Sequence, residues 1–377
     1  MKIIIAPDSF KGSLSALEAA EAMAEVIREL DYQIDVVPLP AADGGEGTML
    51  AMVRATSGKL VEHQVEDPLG RNVSACYGVL GDGQTCVIEI AEASGLMLLT
   101  EDERDPLITS SFGTGQLIGH ALDAGFRKFI VGLGGSATND GGTGMLEALG
   151  MKFLDSAGRH LARGGGSLGE LVEIDGSGFD RRIEESTFLI ASDVENPFVG
   201  YQGASAIFGP QKGATPEMVQ QLDVNLRNFA DKIEQLTGLA LHNKQGAGAA
   251  GGAGGALQAF FLGDMRRGID VVLNAIGFES YLETADLIIT GEGKSDSQTL
   301  SGKTPFGIAE VAKRAGKPVI LISGMVDSES KDLLEPYFSE IYSIVGAEVS
   351  VEQAMSDAYE QLKVKTQIAV KTFMEKS

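Results

Sequence analysis

At 377 residues the chain is too long for one ordinary hydrophobic core, and its formal charge of −23 excludes a nucleic-acid or anionic-membrane partner, since either needs a basic face. Hydrophobic residues make up 44% with aromatics at only 6% and no tryptophan, so aliphatics dominate; that balance suits parallel sheets flanked by helices better than an all-β protein. An anionic small substrate stays open, because it senses only local charge.

In chain order, KIIIA (2–6) predicts a buried strand, PDSFKGS a loop, and residues 14–30 a helix. Its apolar positions Leu14, Leu17, Ala20, Met23, Ala24 and Ile27 keep helical spacing. IDVVPLP (34–40) predicts a second strand, followed by the loop AADGGEG and the helix TMLAMVRATSG. From residue 58 the pattern alternates apolar and polar between turn signals at DPLG and GDGQ, which predicts an antiparallel meander of three strands. Cys76 and Cys86 flank the second turn; a reduced pair is expected, with a disulfide as the alternative.

A helix is predicted near 112–124, then KFIVGLGGSATNDGG as a strand entering a Gly-rich loop, with a short helix at 142–149. Residues 151–190 read as irregular, with a hairpin at LDSAGR. FLIASDVENP (188–197) predicts a strand with a polar tip, and 215–237 a long helix before a Gly/Ala stretch and two short helices. DLIITGEG, PVILISG and EIYSIVGA then repeat strand, loop and helix to the end.

Chain ends that look alike enclose a differently patterned middle. The expected fold class is α/β in two domains: a doubly wound, Rossmann/flavodoxin-like parallel-sheet domain from residues 1–60 plus 285–377, and an inserted α/β domain with a mixed sheet over 61–284. MKIIIAPDSF shows no secretory pattern, and the uncharged stretch 245–263 is mostly Gly and Ala, too weakly hydrophobic for a span. A cytoplasmic protein is expected.

Polar loops repeatedly follow apolar strands: PDSFKGS (7–13), ADGGEG (42–47), GGSATNDGG (134–142), SDVENP (192–197) and GEGKSD (291–296). Ligands of open α/β sheets sit beyond the carboxyl ends of the strands, so five such loops point to one site. GGSATNDGG offers backbone amides at a helix start, with Ser136, Thr138 and Asn139 as neutral donors to a phosphate. Lys11, Lys212, Lys294 and Lys303 are counter-charge candidates, although surface solubility explains Lys212 nearly as well. Asp8, Asp43, Asp193, Glu292 and Asp296 could hold Mg2+ or accept a hydroxyl proton. Helix capping is the plainer role for each, and Asp193 and Asp296 look least like caps.

GLGGSA (132–137) also matches a dinucleotide fingerprint, with Asp155 near the place of a ribose-binding acid. That supports an NAD-dependent hydroxy-acid dehydrogenase as the alternative function, weakened by the DSAG turn at Asp155 and by the lack of a histidine near the five loops. The four histidines have no metal-ligand spacing, and no Gly-x-Ser-x-Gly elbow follows a strand. GEGKSDSQTLSGKT (291–304) misses the Walker pattern twice, because Ser297 and Ile288 stand where the first glycine belongs.

As an ordered set, APDSFKGSLSA (6–16), PAADGGEGT (40–48), GLGGSATNDGGTGML (132–146), ASDVENP (191–197), FGPQKGA (208–214), GAAGG (248–252) and GEGKSDSQTLSGKTP (291–305) resemble the bacterial type-1 glycerate kinase family across nearly the whole chain. The family usually shows Arg and then an apolar residue where Lys294 and Ser295 stand, so charge is kept but a bidentate grip is lost. The resemblance implies two α/β domains with the active cleft between them, and ATP-dependent phosphorylation of D-glycerate to 2-phosphoglycerate or 3-phosphoglycerate. It implies Asp193, Asp296 and Lys11 as catalytic residues, and Asp8, Ser9, Lys294 and Gln298 as substrate contacts. Gly134, Gly135, Ser136, Thr138, Asn139, Gly291 and Gly293 would cradle ATP, and Asp193 or Glu292 would hold Mg2+. D-glycerate is the expected partner, with no nucleic acid or membrane, and a homo-oligomer is left open.

Overall fold

The computed structural model describes residues 1–376. In chain order the strands among them are β1 (Lys2–Ile5), β2 (Asp35–Pro38), β3 (Lys59–Glu66), β4 (Asn72–Val79), β5 (Thr85–Glu89), β6 (Lys128–Gly132), β7 (Lys152–Leu154), β8 (Glu173–Asp175), β9 (Thr187–Ala191), β10 (Asp264–Arg266), β11 (Leu287–Ser295), β12 (Val319–Val326) and β13 (Glu340–Ser343). Contacts group the chain into two compact units. One holds residues 1–43, 50–57 and 267 onward; the other holds 44–49 and 58–266.

The first unit carries a five-stranded sheet in the order β13-β12-β11-β1-β2, every pair parallel. Its three central strands are unbroken aliphatic runs because both faces are covered. Ile3, Ile5, Leu287, Ile289, Ile320 and Ile322 face a cluster supplied by the helices Ala16–Leu30 and Ala358–Lys376. The alternate residues Ile4, Ile288 and Leu321, equally buried, turn to the other face, where the helix Thr304–Arg314 packs on β11 and β12. The helix Ala16–Leu30 starts at a capping box: Ser15 accepts from the Glu18 amide while the Glu18 carboxylate accepts from the Ser15 amide.

The chain leaves β1 for β2 on one side and returns to β11 on the other. The two neighbours thus diverge at their carboxyl ends, which makes β1/β11 the topological switch point. One sequence expectation is corrected here. GEGKS was read as a loop after the strand, yet β11 continues to Ser295, with Glu292 opposite Ser323 and Lys294 opposite Met325. β12, with eight residues to the nine of β11, keeps pairing with it past the apolar run.

The second unit has a six-stranded sheet, β10-β9-β6-β5-β4-β3. β10, β9, β6 and β5 run parallel, while β5, β4 and β3 form the antiparallel meander that the alternating pattern predicts. Phe129 and Phe188 stack across β6 and β9 at 4.6 Å in its core. Cys76 and Cys86 are free thiols. The dinucleotide alternative fails on topology: β7 forms a separate antiparallel ribbon with β8, where a Rossmann unit needs it beside β6. Asp155 caps the tight turn that follows β7, accepting from the Ala157 and Arg159 amides at 2.8 and 2.9 Å.

Candidate active site

The segment after β1 is laid along β11. The Ala6 amide donates to the Ile289 carbonyl and the Asp8 amide to the Gly291 carbonyl, both at 2.8 Å, and the Thr290 hydroxyl donates to the Ala6 carbonyl. Gly293 allows this approach: a Cβ there would stand 3.1 Å from the Lys11 amide nitrogen. A cavity of about 280 Å³ opens at this point, within the first unit. Asp8, Ser9, Lys11, Asp43, Glu292, Lys294 and Lys303 are among its lining, so it gathers three carboxylates and three ammonium groups.

Asp8 is the most perturbed of these. Burial, then the neighbouring Asp43 carboxylate, push its carboxyl up to about 7; the Thr304 hydroxyl (2.7 Å) and the Ser9 amide (2.6 Å) oppose this by donating to it, and Glu292 adds a weaker upward push. Thr304 opens the helix Thr304–Arg314, so SGKTP is a helix start, as the sequence reading has it.

Glu292 is buried and engaged on both oxygens. Its Oε1 accepts from the hydroxyls of Ser295 (2.8 Å) and Thr299 (2.6 Å), and Oε2 faces the Lys303 ammonium at 3.8 Å. Desolvation raises its pKa all the same. Such a carboxylate holds its surroundings in place rather than presenting two open ligand positions.

Asp296 is a cap, which corrects the reading that it looks least like one. Its Oδ1 accepts from the Gln298 amide at 2.9 Å, its own amide donates to the Thr299 hydroxyl, and Oδ2 lies 3.4 Å from Lys294 Nζ. These donors lower its pKa against the cost of desolvation. Gln298 is exposed, and neither Asp296 nor Gln298 lines the cavity.

In the second unit the Gly-rich loop following β6 is largely spent on its own support. The amides of Ala137 and Gly141 donate to the carbonyls of Ser94 and Gly251, and that of Gly142 to the Asp140 carboxylate. Thr138 and Asn139 are fully buried, and Thr138 Oγ1 and Asn139 Oδ1 have no hydrogen-bond partner. Burial assigns both to the loop's interior rather than to a ligand face; Gly135 is its exposed position, while the backbone of Gly45 lies against Gly134. Lys212 is not a surface residue. It is 1% exposed, and its Nζ donates to Ser136 Oγ at 2.9 Å and to the Thr138 carbonyl at 2.7 Å. Asp193 is exposed just beyond β9.

Sequence reasoning missed two kinds of contributor. Thr304 carries a role at Asp8 that only a contact across 296 positions reveals. Glu89, at the end of β5, has its carboxyl pushed up to about 7 by burial and accepts from the Met49 and Gly47 amides. Its signal, an acid closing an apolar strand, was on view in TCVIE. Among the described residues no group of three His, Cys, Asp or Glu side chains is arranged to hold a metal ion. No helix among them is long and apolar enough to cross a membrane.

A family model described as the Glycerate kinase family matches residues 3–374. A Bacillus subtilis protein named glycerate kinase is 50% identical over 363 residues, spanning 96% of this chain and 95% of its own length. An Escherichia coli protein named glycerate 2-kinase is 46% identical, spanning 96% of this chain and 95% of its own. A crystal structure described as a glycerate kinase 2 from Salmonella typhimurium aligns with a TM-score of 0.90 at 46% identity, covering 100% of this chain and 98% of that one.

Proposed function

The chain belongs to the glycerate kinase family and phosphorylates glycerate; we propose that it transfers the γ-phosphoryl group of ATP to the C2 hydroxyl of D-glycerate, using the pocket at the β1/β11 switch point. The choice of C2 is supported by the 46% identical relative named glycerate 2-kinase.

Phosphoryl transfer asks a protein mainly to align two oxygens about phosphorus and to neutralise charge. Asp8 takes the role of proton acceptor expected of Asp193 or Asp296. With its carboxyl at about 7, it is part carboxylate at neutral pH and still basic enough to take a hydroxyl proton. The proton passes to Asp8, the substrate oxygen bonds to the γ-phosphorus, and the bond to the bridging oxygen of ADP breaks. Thr304 fixes the carboxylate at 2.7 Å. Ser9 and Lys11 meet the carboxylate of glycerate, and Lys294 and Lys303 counter the phosphate charge, with Glu292 holding Lys303.

The donor set suits Mg2+ carried by the nucleotide, since hard carboxylate oxygens are present but no preformed cage is. When bound, the ion supplies charge neutralisation along the phosphates.

The observation that carries this reading is the perturbed Asp8 carboxyl among three lysines at the switch point. Its test is ADP release from Mg·ATP and D-glycerate, with carbon NMR of the product. A 2-phosphoglycerate product that disappears in Asp8→Asn is expected; full activity in that variant overturns the assignment.

A further inference from the structure

The same cavity has an apolar lining that glycerate does not explain. Ile344, Val345, Val351, Ala354, Met355 and Ala358 line it. Val351, Ala354 and Met355 keep the i, i+3, i+4 spacing of one face of the helix Val351–Ser356, and with Ala358, which opens the helix Ala358–Lys376, they line the cavity. Val351 and Met355 are nevertheless 52% and 51% exposed. Two large apolar side chains thus stand open beside a nest of six charged groups.

A small sugar acid is polar over its whole surface and gains nothing from such a wall. The charged lining already offers partners to a carboxylate and a phosphate chain. What remains unmatched is apolar and shares the cavity with the lysines, which fits a purine ring joined to phosphates. We propose that this apolar wall is the seat of the adenine base of ATP, so that the nucleotide lies within the first unit with its phosphates pointing to Lys294 and Lys303. The proposal rests on the glycerate kinase reading. It moves the chief nucleotide contacts from the Gly-rich loop after β6 to the helix Val351–Ser356.

The test uses the full-length protein and reads binding as well as activity. Calorimetric titration with AMP and, separately, with inorganic tripolyphosphate compares the parent with Val351→Asn/Met355→Asn and with Ala354→Phe. The first variant alters only half-exposed side chains and is expected to fold; the second fills the cavity. Expected is a loss of about tenfold or more in AMP affinity in both variants, since apolar contact area is removed or blocked. The KM for ATP should rise in parallel, while tripolyphosphate affinity and the KM for glycerate stay within about threefold. AMP affinity unchanged in a variant whose thermal midpoint matches the parent overturns the proposal. So does failure of the parent to bind AMP, or a rise confined to the KM for glycerate. A parent that binds AMP but makes no phosphoglycerate sinks the kinase reading and leaves the base site standing.

Discussion

At Asp8 stability and chemistry pull in opposite directions. Its folded pKa, about 7, lies above the ordinary 3.8, so between those values the folded chain keeps a proton that the unfolded chain releases. Its contribution to stability is therefore present at low pH and is lost as pH climbs toward 7, then levels off. Asp8→Asn should raise the thermal midpoint relative to the parent at pH 8 and by less at pH 5, measured by scanning calorimetry. The same change should cut kcat by about a hundredfold or more, the scale of a lost proton acceptor, and parent activity should rise with pH through about 7. Lys212 runs the other way. Burial holds its ammonium down to about 7 from 10.5, partly countered by Asp140, so its penalty on the fold eases as pH rises above 7. Lys212→Met leaves Ser136 and the Thr138 carbonyl without their donor; its destabilisation should grow between pH 7 and pH 10, read from urea midpoints.

The extension of β11 explains why its two acids differ. Glu292 still lies within the pairing with β12 and is buried, whereas Asp296 follows the last paired residue and turns to cap the residues after it. Asp296→Ala should cost about 1 kcal/mol, the usual worth of a side-chain cap, while leaving kcat within a few-fold of the parent. A hundredfold loss of kcat without a stability change would return Asp296 to the chemistry. Gly293→Ala offers a separate check on the same strand, because its Cβ must push against the Lys11 amide. The KM for glycerate should rise about tenfold if a displacement of a few tenths of an ångström spoils alignment of Lys11.

Over the whole molecule, an excess of acidic groups gives −23, yet the cavity collects Lys11, Lys294 and Lys303 beside its carboxylates. A local cationic rim within an acidic surface is what an anionic nucleotide requires. Mg·ATP at a hundred times its Kd should therefore stabilise the fold by about 2.7 kcal/mol, seen as a rise in thermal midpoint. NADH should leave the midpoint where it was, since β7 pairs in a ribbon with β8 and Asp155 caps a turn rather than facing a ribose. A shift with NADH and none with Mg·ATP would reverse that conclusion.

Sequence alone determined the fold class, the parallel runs KIII, LIIT and VILI, and the β3–β5 meander, because hydrophobic periodicity is a local property set by which faces are covered. It also placed Asp8 and Lys11 in the loop after β1, where residue type and position suffice. Tertiary structure decided what each then does. That Lys212 is buried, that Thr304 grips Asp8 and that Val351 and Met355 share a cavity with Asp8 all depend on contacts between distant segments. No spacing encodes such contacts, because burial, and with it the protonation state, is set by neighbours that only the folded chain brings together.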